Sequence, residues 1–218
     1  MKTSEDSTAP LADARQAPAG KSHHVGTAKP LKLADDVVST AIYGGPGDCY
    51  RYTLKRVWDP RKPLVMWLMM NPSVATETGD DRTVAKCQRY ARQWGYGGMF
   101  VGNSFAYRCT NQDRLLEVPD PVGPEDDHYL LEMARQAQCV VLATGTPHAP
   151  RLRQRAVQVA HMLARAGIPL TVLRLSKEGR PVHPLYLPAH LTPQPLCVDR
   201  LPKEETLAHQ TGKPPSED

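Results

Sequence analysis

Hydrophobic positions along the chain fall into short, uninterrupted apolar runs separated by stretches of helical period. Residues 64–70 read LVMWLMM, and the same character returns at 98–103 (GMFVGN), 139–145 (CVVLATG) and 169–175 (PLTVLRL). Runs this short and continuous predict strands covered on both faces. In the segment 82–94, Val84, Cys87, Ala91 and Trp94 recur at helical spacing, with Asp80 or Asp81 placed to cap the start and Gly95 to end the helix. Pro124, Glu125, Asp126 and Asp127 open a second helix running through HYLLEMARQA, where acidic residues suit the amino end. Leu152, Ala156, Val159, Ala160 and Leu163 line one face of a third helix over 151–166, stopped by Gly167 and Pro169. Residues 49–57, CYRYTLKRV, interleave aromatic and β-branched residues with charged ones, as an outer or edge strand does.

This alternation implies an α/β fold: a three-layer α/β/α arrangement with a central four-stranded parallel sheet, right-handed crossovers and an N-terminal edge strand. Residues 1–32 are rich in Ala, Pro, Ser, Thr, Gly and Lys without a hydrophobic period, and are expected to form a disordered tail. A single domain is expected over 33–200 and a flexible C-terminal tail over 201–218. The pair His23-His24 falls in the first tail, where solvation accounts for it and metal binding is the alternative.

Composition narrows the class. With 218 residues, 40% hydrophobic and 23% charged, the chain has the mixture of an average globular domain. No apolar run approaches the roughly 20 residues that cross a bilayer, and the first residues lack the apolar stretch of a secretory signal, so a cytoplasmic protein without a membrane partner is expected. The five cysteines (Cys49, Cys87, Cys109, Cys139 and Cys197) are scattered, with no C-x-x-C pair, and read as reduced thiols rather than disulfides or zinc ligands. No metal or cofactor is implied. Charge is uneven: residues 51–110 carry ten Lys/Arg against four Asp/Glu, residues 151–180 seven against one, and residues 111–150 two against seven. Two basic segments of this kind fit a phosphate-rich partner, although charge runs also serve as solvated faces.

In open parallel sheets, ligands bind outside the carboxyl ends of the strands. The loops gathered there are Asn71-Pro72-Ser73, Asn103-Ser104-Phe105, Gly145-Thr146-Pro147 and, after the last strand, Gly179 to Tyr186 with His183 among them. Their polar groups suit hydrogen bonding to a small planar ligand. Asn-Pro-Ser is also an ordinary turn sequence, and His183 between Val182 and Pro184 also fits a structural histidine.

The segments Tyr50-Arg51-Tyr52, Met70-Asn71-Pro72-Ser73, Asp80-Asp81-Arg82-Thr83, Trp94-Gly95-Tyr96-Gly97, Asn103 to Arg108, Asp120 to Pro124 and His183 to Leu187 resemble the bacterial and phage family called domain of unknown function 1643, over about residues 48–190. A second resemblance is to the uracil-DNA glycosylase superfamily, with its Asn-Pro-type motif after the first strand, an Asn after the second and a His-Pro loop after the fourth. That likeness implies hydrolysis of an N-glycosidic bond in DNA at uracil or a modified base. Asn71 would position the attacking water, Asn103 would read the amide edge of a flipped base, and His183 would stabilise the charge on the departing base. Tyr186 or Leu187 would fill the gap left in the duplex. Pro72, Ser73, Gly145 and Pro184 would complete the substrate site, with Phe105, Tyr107 and Trp67 as candidates for the stacking aromatic, Trp67 fitting core packing better. Arg82, Lys86 and Arg89 would contact phosphates. The alternatives are a non-catalytic nucleic-acid or nucleotide-binding module and an enzyme acting on free nucleotides or nucleosides. Asp80, Asp81, Asp120, Asp126 and Asp127 have no part in the glycosylase likeness; helix capping accounts for them, and a catalytic or metal-binding cluster is the alternative.

Overall fold

A computed structural model describes residues 23–202, and the expected tail segments 1–22 and 203–218 lie outside the described residues. In chain order the strands and helices are β1 (Leu31–Lys32), β2 (Val38–Gly44), β3 (Tyr50–Val57), β4 (Leu64–Met69), β5 (Gly79–Asp80), α1 (Arg82–Gln93), β6 (Gly98–Asn103), α2 (Arg114–Glu117), α3 (Asp126–Gln136), β7 (Cys139–Leu142), α4 (Pro150–Arg165), β8 (Leu170–Val172) and β9 (Gln194–Leu196).

The apolar runs become adjacent strands because each can be buried on both faces. In β4, Val65, Trp67 and Met69 turn toward α1, where they meet Val84, Cys87, Tyr90 and Ala91. Met66 and Leu68 turn the other way, toward Leu130, Met133 and Ala134 of α3 and Val159, Ala160 and Leu163 of α4. Gly102 of β6 permits the close approach of α3, since a Cβ there would lie 2.6 Å from a methyl carbon of Leu130. The Asp81 carboxylate caps α1 by accepting from the Val84 amide at 2.8 Å, and Gly95 ends the helix at a φ of 86°.

The sheet is wider and more mixed than the sequence predicts. It has seven strands in the order β2-β3-β6-β4-β7-β8-β9. The pairs β6-β4, β4-β7 and β7-β8 are parallel, whereas β2-β3, β3-β6 and β8-β9 are antiparallel. The strand expected at the edge over 49–57 is therefore an interior one, covered by β2. The sequence hides β2 because its apolar Val38 and Ile42 face outward at 70% and 42% exposure, while Ser39 lies on the half-buried face, so the hydrophobic pattern does not mark which side is covered. It hides β9 because Pro195 is depleted in strands and tolerated at an edge. Part of the expected tail also contacts the domain. β1 pairs with β5, and His24 is held by backbone bonds to Arg108 and Thr110 and by its Nδ1 at 2.8 Å from the Tyr107 hydroxyl. At the other end Leu201 is buried against the α3 and α4 side of the sheet.

One buried ion pair joins these parts. Arg56 of β3 binds Asp80 of β5 through Nε at 3.0 Å and Nη2 at 2.8 Å, with Arg56 wholly buried. Its remaining donors reach Ser39 Oγ and the carbonyls of Lys55, Thr76 and Gly79, while Gln88 of α1 donates to the other Asp80 oxygen. Asp80→Ala leaves that cation buried without its partner and is expected to cost about 3–5 kcal/mol in urea denaturation. The double variant Arg56→Met/Asp80→Leu is expected to recover much of the loss, and equal losses in the single and double variants would show that the pairing itself is not what matters.

Candidate functional site

At the carboxyl ends of the parallel strands lies a cavity of about 150 Å3, lined by Arg51, Met69, Met70, Asn71, Ser73, Asp81, Thr83, Val84, Val101, Asn103, Cys109, Thr110, Gln112 and His183. Asn71, Ser73, Asn103 and His183, singled out in the sequence, meet here. So do Arg51, Thr83, Thr110 and Gln112, for which the sequence assigned no role in a site, and Asp81, for which helix capping is the first reading of the sequence and a catalytic or metal-binding cluster the alternative.

The polar side chains of Asn71, Asn103, His183 and Arg51 are held by specific partners. Asn71 directs its Nδ2 to the carbonyls of Cys109, at 2.7 Å, and Pro72, at 3.1 Å. Carbonyls only accept, so the Asn71 amide oxygen is turned away from them, and it has no hydrogen-bond partner among the described residues. Asn103 has the opposite polarity. Its Oδ1 accepts from Arg51 Nη2 at 3.2 Å, which leaves its amide nitrogen as a donor on the cavity side. The cavity is thus offered one amide oxygen and one amide nitrogen from neighbouring strand ends.

His183 precedes a 3-10 turn, Pro184–Tyr186, and its Nδ1 accepts from the Leu185 amide at 3.3 Å. The neutral ring must then carry its proton on Nε2. Burial pushes the His183 pKa down; Asp81 opposes this and Lys86 adds to it. The loop is held from two sides. Lys86 donates from α1 to the carbonyls of Leu185 and Leu187, at 2.9 and 2.5 Å, and Gly145 backs the histidine so closely that a Cβ there would lie 3.3 Å from His183 Cβ, at a φ of 73°.

Arg51 reaches the cavity through a β-bulge. Ile42 and Tyr43 of β2 pair with Thr53 and Arg51 of β3, so Tyr52 is the extra residue. Tyr52 stacks on Tyr129 of α3 at 5.2 Å, and Thr53 lines a recess with Phe100 and Tyr129 on that same side. Two consecutive residues on one face reverse the alternation. Arg51 is thereby returned to the face of Leu54 and Arg56, toward the cavity. Its guanidinium donates to Asn103 Oδ1 and, at 2.7 Å, to the Ala75 carbonyl, while Nε is buried without a partner. Burial pulls its pKa down to about 10.

Several expected contributors lie elsewhere. Phe105 and Tyr107 are buried in a third core cluster with Cys49, Met70, Cys109 and Leu115, so neither offers a face to a ligand. Trp67 is wholly buried in the main core. Leu187 is 2% exposed and cannot enter a duplex, whereas Tyr186 stands out at 77% exposure. Pro72 and Pro184 shape their turns from buried positions, and Gly145 borders a separate recess of about 20 Å3, room for little more than a water. Lys86 spends its ammonium on the His183 loop rather than presenting it outward, while Arg82 and Arg89 are exposed. The acidic residues resolve individually. Asp80 is ion-paired, Asp81 caps α1, and Asp120 accepts from the amides of Val122 and Gly123. Asp126 and Asp127 receive Arg155, which also donates to the Ser104 carbonyl next to Asn103. Among the described residues no group of His, Cys, Asp and Glu is placed to hold a metal ion, and no helix is long and apolar enough to cross a membrane.

The model of the family described as "Protein of unknown function (DUF1643)" matches residues 51–185, more than half of the chain, and the chain belongs to that family. No curated protein and no solved structure matches it.

The His183 environment makes a direct prediction for NMR. Long-range 1H-15N spectra are expected to show the neutral Nε2–H form at pH 7 and a protonation midpoint below the ordinary 6.5, because burial disfavours the cation. A midpoint above that value, or an Nδ1–H form, would contradict the orientation described.

Proposed function

We propose that this family member hydrolyses an N-glycosidic bond, with uracil or a modified base in DNA as the substrate class and the base held in the cavity of Arg51, Asn71, Asn103 and His183. The observation that carries this reading is the convergence of Asn71 and His183, from two separate loops, and Asn103, from the end of β6, on one cavity. Their order along the chain is also that of the motifs that liken the sequence to uracil-DNA glycosylases. A volume of about 150 Å3 is below the roughly 300–1,000 Å3 of pockets for drug-sized ligands, and suits a single heterocycle rather than a whole nucleotide.

In this reading the glycosidic electron pair leaves with the base, water adds to the sugar carbon, and the proton lost by that water ends on the base. The Asn71 amide oxygen orients the water. As a carboxamide it has little basicity, so the rate depends chiefly on stabilising the leaving group. The neutral His183 ring points its remaining proton, on Nε2, at the charge developing on the base, and the Asn103 nitrogen donates to a carbonyl on the base edge. Donors held in a water-poor pocket favour the transition state over the neutral ground state. Met69, Met70, Val84 and Val101 supply the apolar lining. Arg82 and Arg89, exposed on α1, would meet the phosphates of a bound strand, and Tyr186 is the side chain free to enter the space of an extruded nucleotide.

The test is incubation with oligonucleotides carrying uracil, hypoxanthine or hypermodified pyrimidines, followed by alkali to cut abasic sites. Cleavage of one class is expected, and binding without cleavage would make the protein a binding module instead. In single-turnover assays His183→Ala is expected to slow cleavage about 10²–10³-fold, the cost typical of one lost oxyanion donor, with little change in Tm. A variant that unfolds early yet cleaves at the parental rate would mark His183 as a packing residue. Arg82→Glu and Arg89→Glu are expected to weaken strand binding and to flatten its dependence on salt, since each phosphate contact releases counterions.

A further inference from the structure

Two arginines on β3 are buried, and they differ in one respect. Arg56 spends its donors on Asp80, Ser39 and three carbonyls. Arg51, 2% exposed, uses two of the five N–H groups a guanidinium carries. Both bonds go to neutral amide oxygens, and no carboxylate forms a salt bridge with it among the described residues. Its Nε is buried and unpaired. Asp81 attracts the guanidinium through space without forming an ion pair, and a buried cation with no direct carboxylate partner costs several kcal/mol, which marks it as a candidate ligand-binding group.

The cavity places that charge where a ligand meets it. Arg51 lines it, Asn103 extends it by turning an amide nitrogen inward, and His183 adds a ring N–H. Asp81 is the one carboxylate on the lining; its Oδ1 accepts from the Val84 amide, and its charge offsets part of that of Arg51 without a direct contact. From this arrangement we infer that the cavity floor is an anion subsite, in which Arg51 and Asn103 together receive a group bearing anionic oxygens, a phosphate or a carboxylate of a small molecule. The inference goes beyond glycosidic cleavage and stands whether or not such a bond is cut; in that reaction the departing base is the anion.

Asn103→Asp separates this idea from the alternatives, because it puts a carboxylate oxygen at the position from which Arg51 now reaches an amide. The substitution turns the subsite into an internal ion pair. The full chain would be melted with increasing inorganic phosphate, or increasing acetate, at constant ionic strength set with chloride. For the parent, Tm is expected to climb about 3–5 °C per tenfold anion once the dissociation constant is passed, for phosphate or for acetate according to which oxygen geometry fits. Asn103→Asp is expected to melt no lower than the parent and to lose this response. Arg51→Met is expected to lose it too; should that variant fail to fold, Asn103→Asp carries the test alone. A parent indifferent to both anions, or an undiminished response in Asn103→Asp, would overturn the subsite. Neither readout involves DNA, so an anion response without strand cleavage would leave the subsite standing and remove the glycosidic reading, and the reverse result would do the opposite.

Discussion

The Arg56–Asp80 ion pair is the constraint on which the other parts depend. A buried guanidinium must have its donors satisfied and its charge balanced, and here that requirement is met only by bringing β2, β3, the turn at Thr76–Gly79, β5 and α1 together. Asp80 lies next to Asp81, so the residue that neutralises Arg56 also delivers the cap of α1. Helix α1 in turn forms one wall of the cavity and, through Lys86, holds the loop that carries His183. A fold-level demand for neutrality thus sets the geometry of a site several side chains away.

The candidate site shows a division of labour among its polar groups. Some are engaged in holding others: Lys86 by two carbonyls, Arg155 by Asp126, Asp127 and the carbonyl of Ser104. Others, such as the Asn71 oxygen and the Asn103 nitrogen, are held at one end and left open at the other. Preorganisation of this kind needs no movement when a ligand enters, so less of the binding energy is lost to ordering.

Much of this was legible in the chain. The four apolar runs did become neighbouring parallel strands, since only a sheet covered on both faces buries such runs, and Asn71, Ser73, Asn103 and His183, at or beyond the ends of three of them, did meet. Burial was harder to read in the loops: Phe105, Tyr107 and Leu187 look like ligand contacts in sequence and are core residues, because a third hydrophobic cluster and the underside of the 3-10 turn both needed them. The antiparallel additions escaped because β2 exposes its apolar residues and β9 contains a proline. Arg51 escaped for a different reason. Strict alternation from Leu54 and Arg56 would point position 51 away from α1, and only the extra residue at Tyr52 reverses it. The segments that carry the family resemblance nevertheless include Arg51, Asn71, Ser73, Asp81, Thr83, Asn103 and His183, all on one cavity.

The bulge lets β3 carry one residue more than β2 without turning Arg51 from the cavity. Removing a single codon at Tyr52 would restore regular pairing with β2 and leave the arginine opposite Tyr43 on the cavity face, at the cost of the Tyr52 ring against Tyr129. In lineages where the site is in use, loss of one residue at this point should therefore leave the charge of the cavity in place.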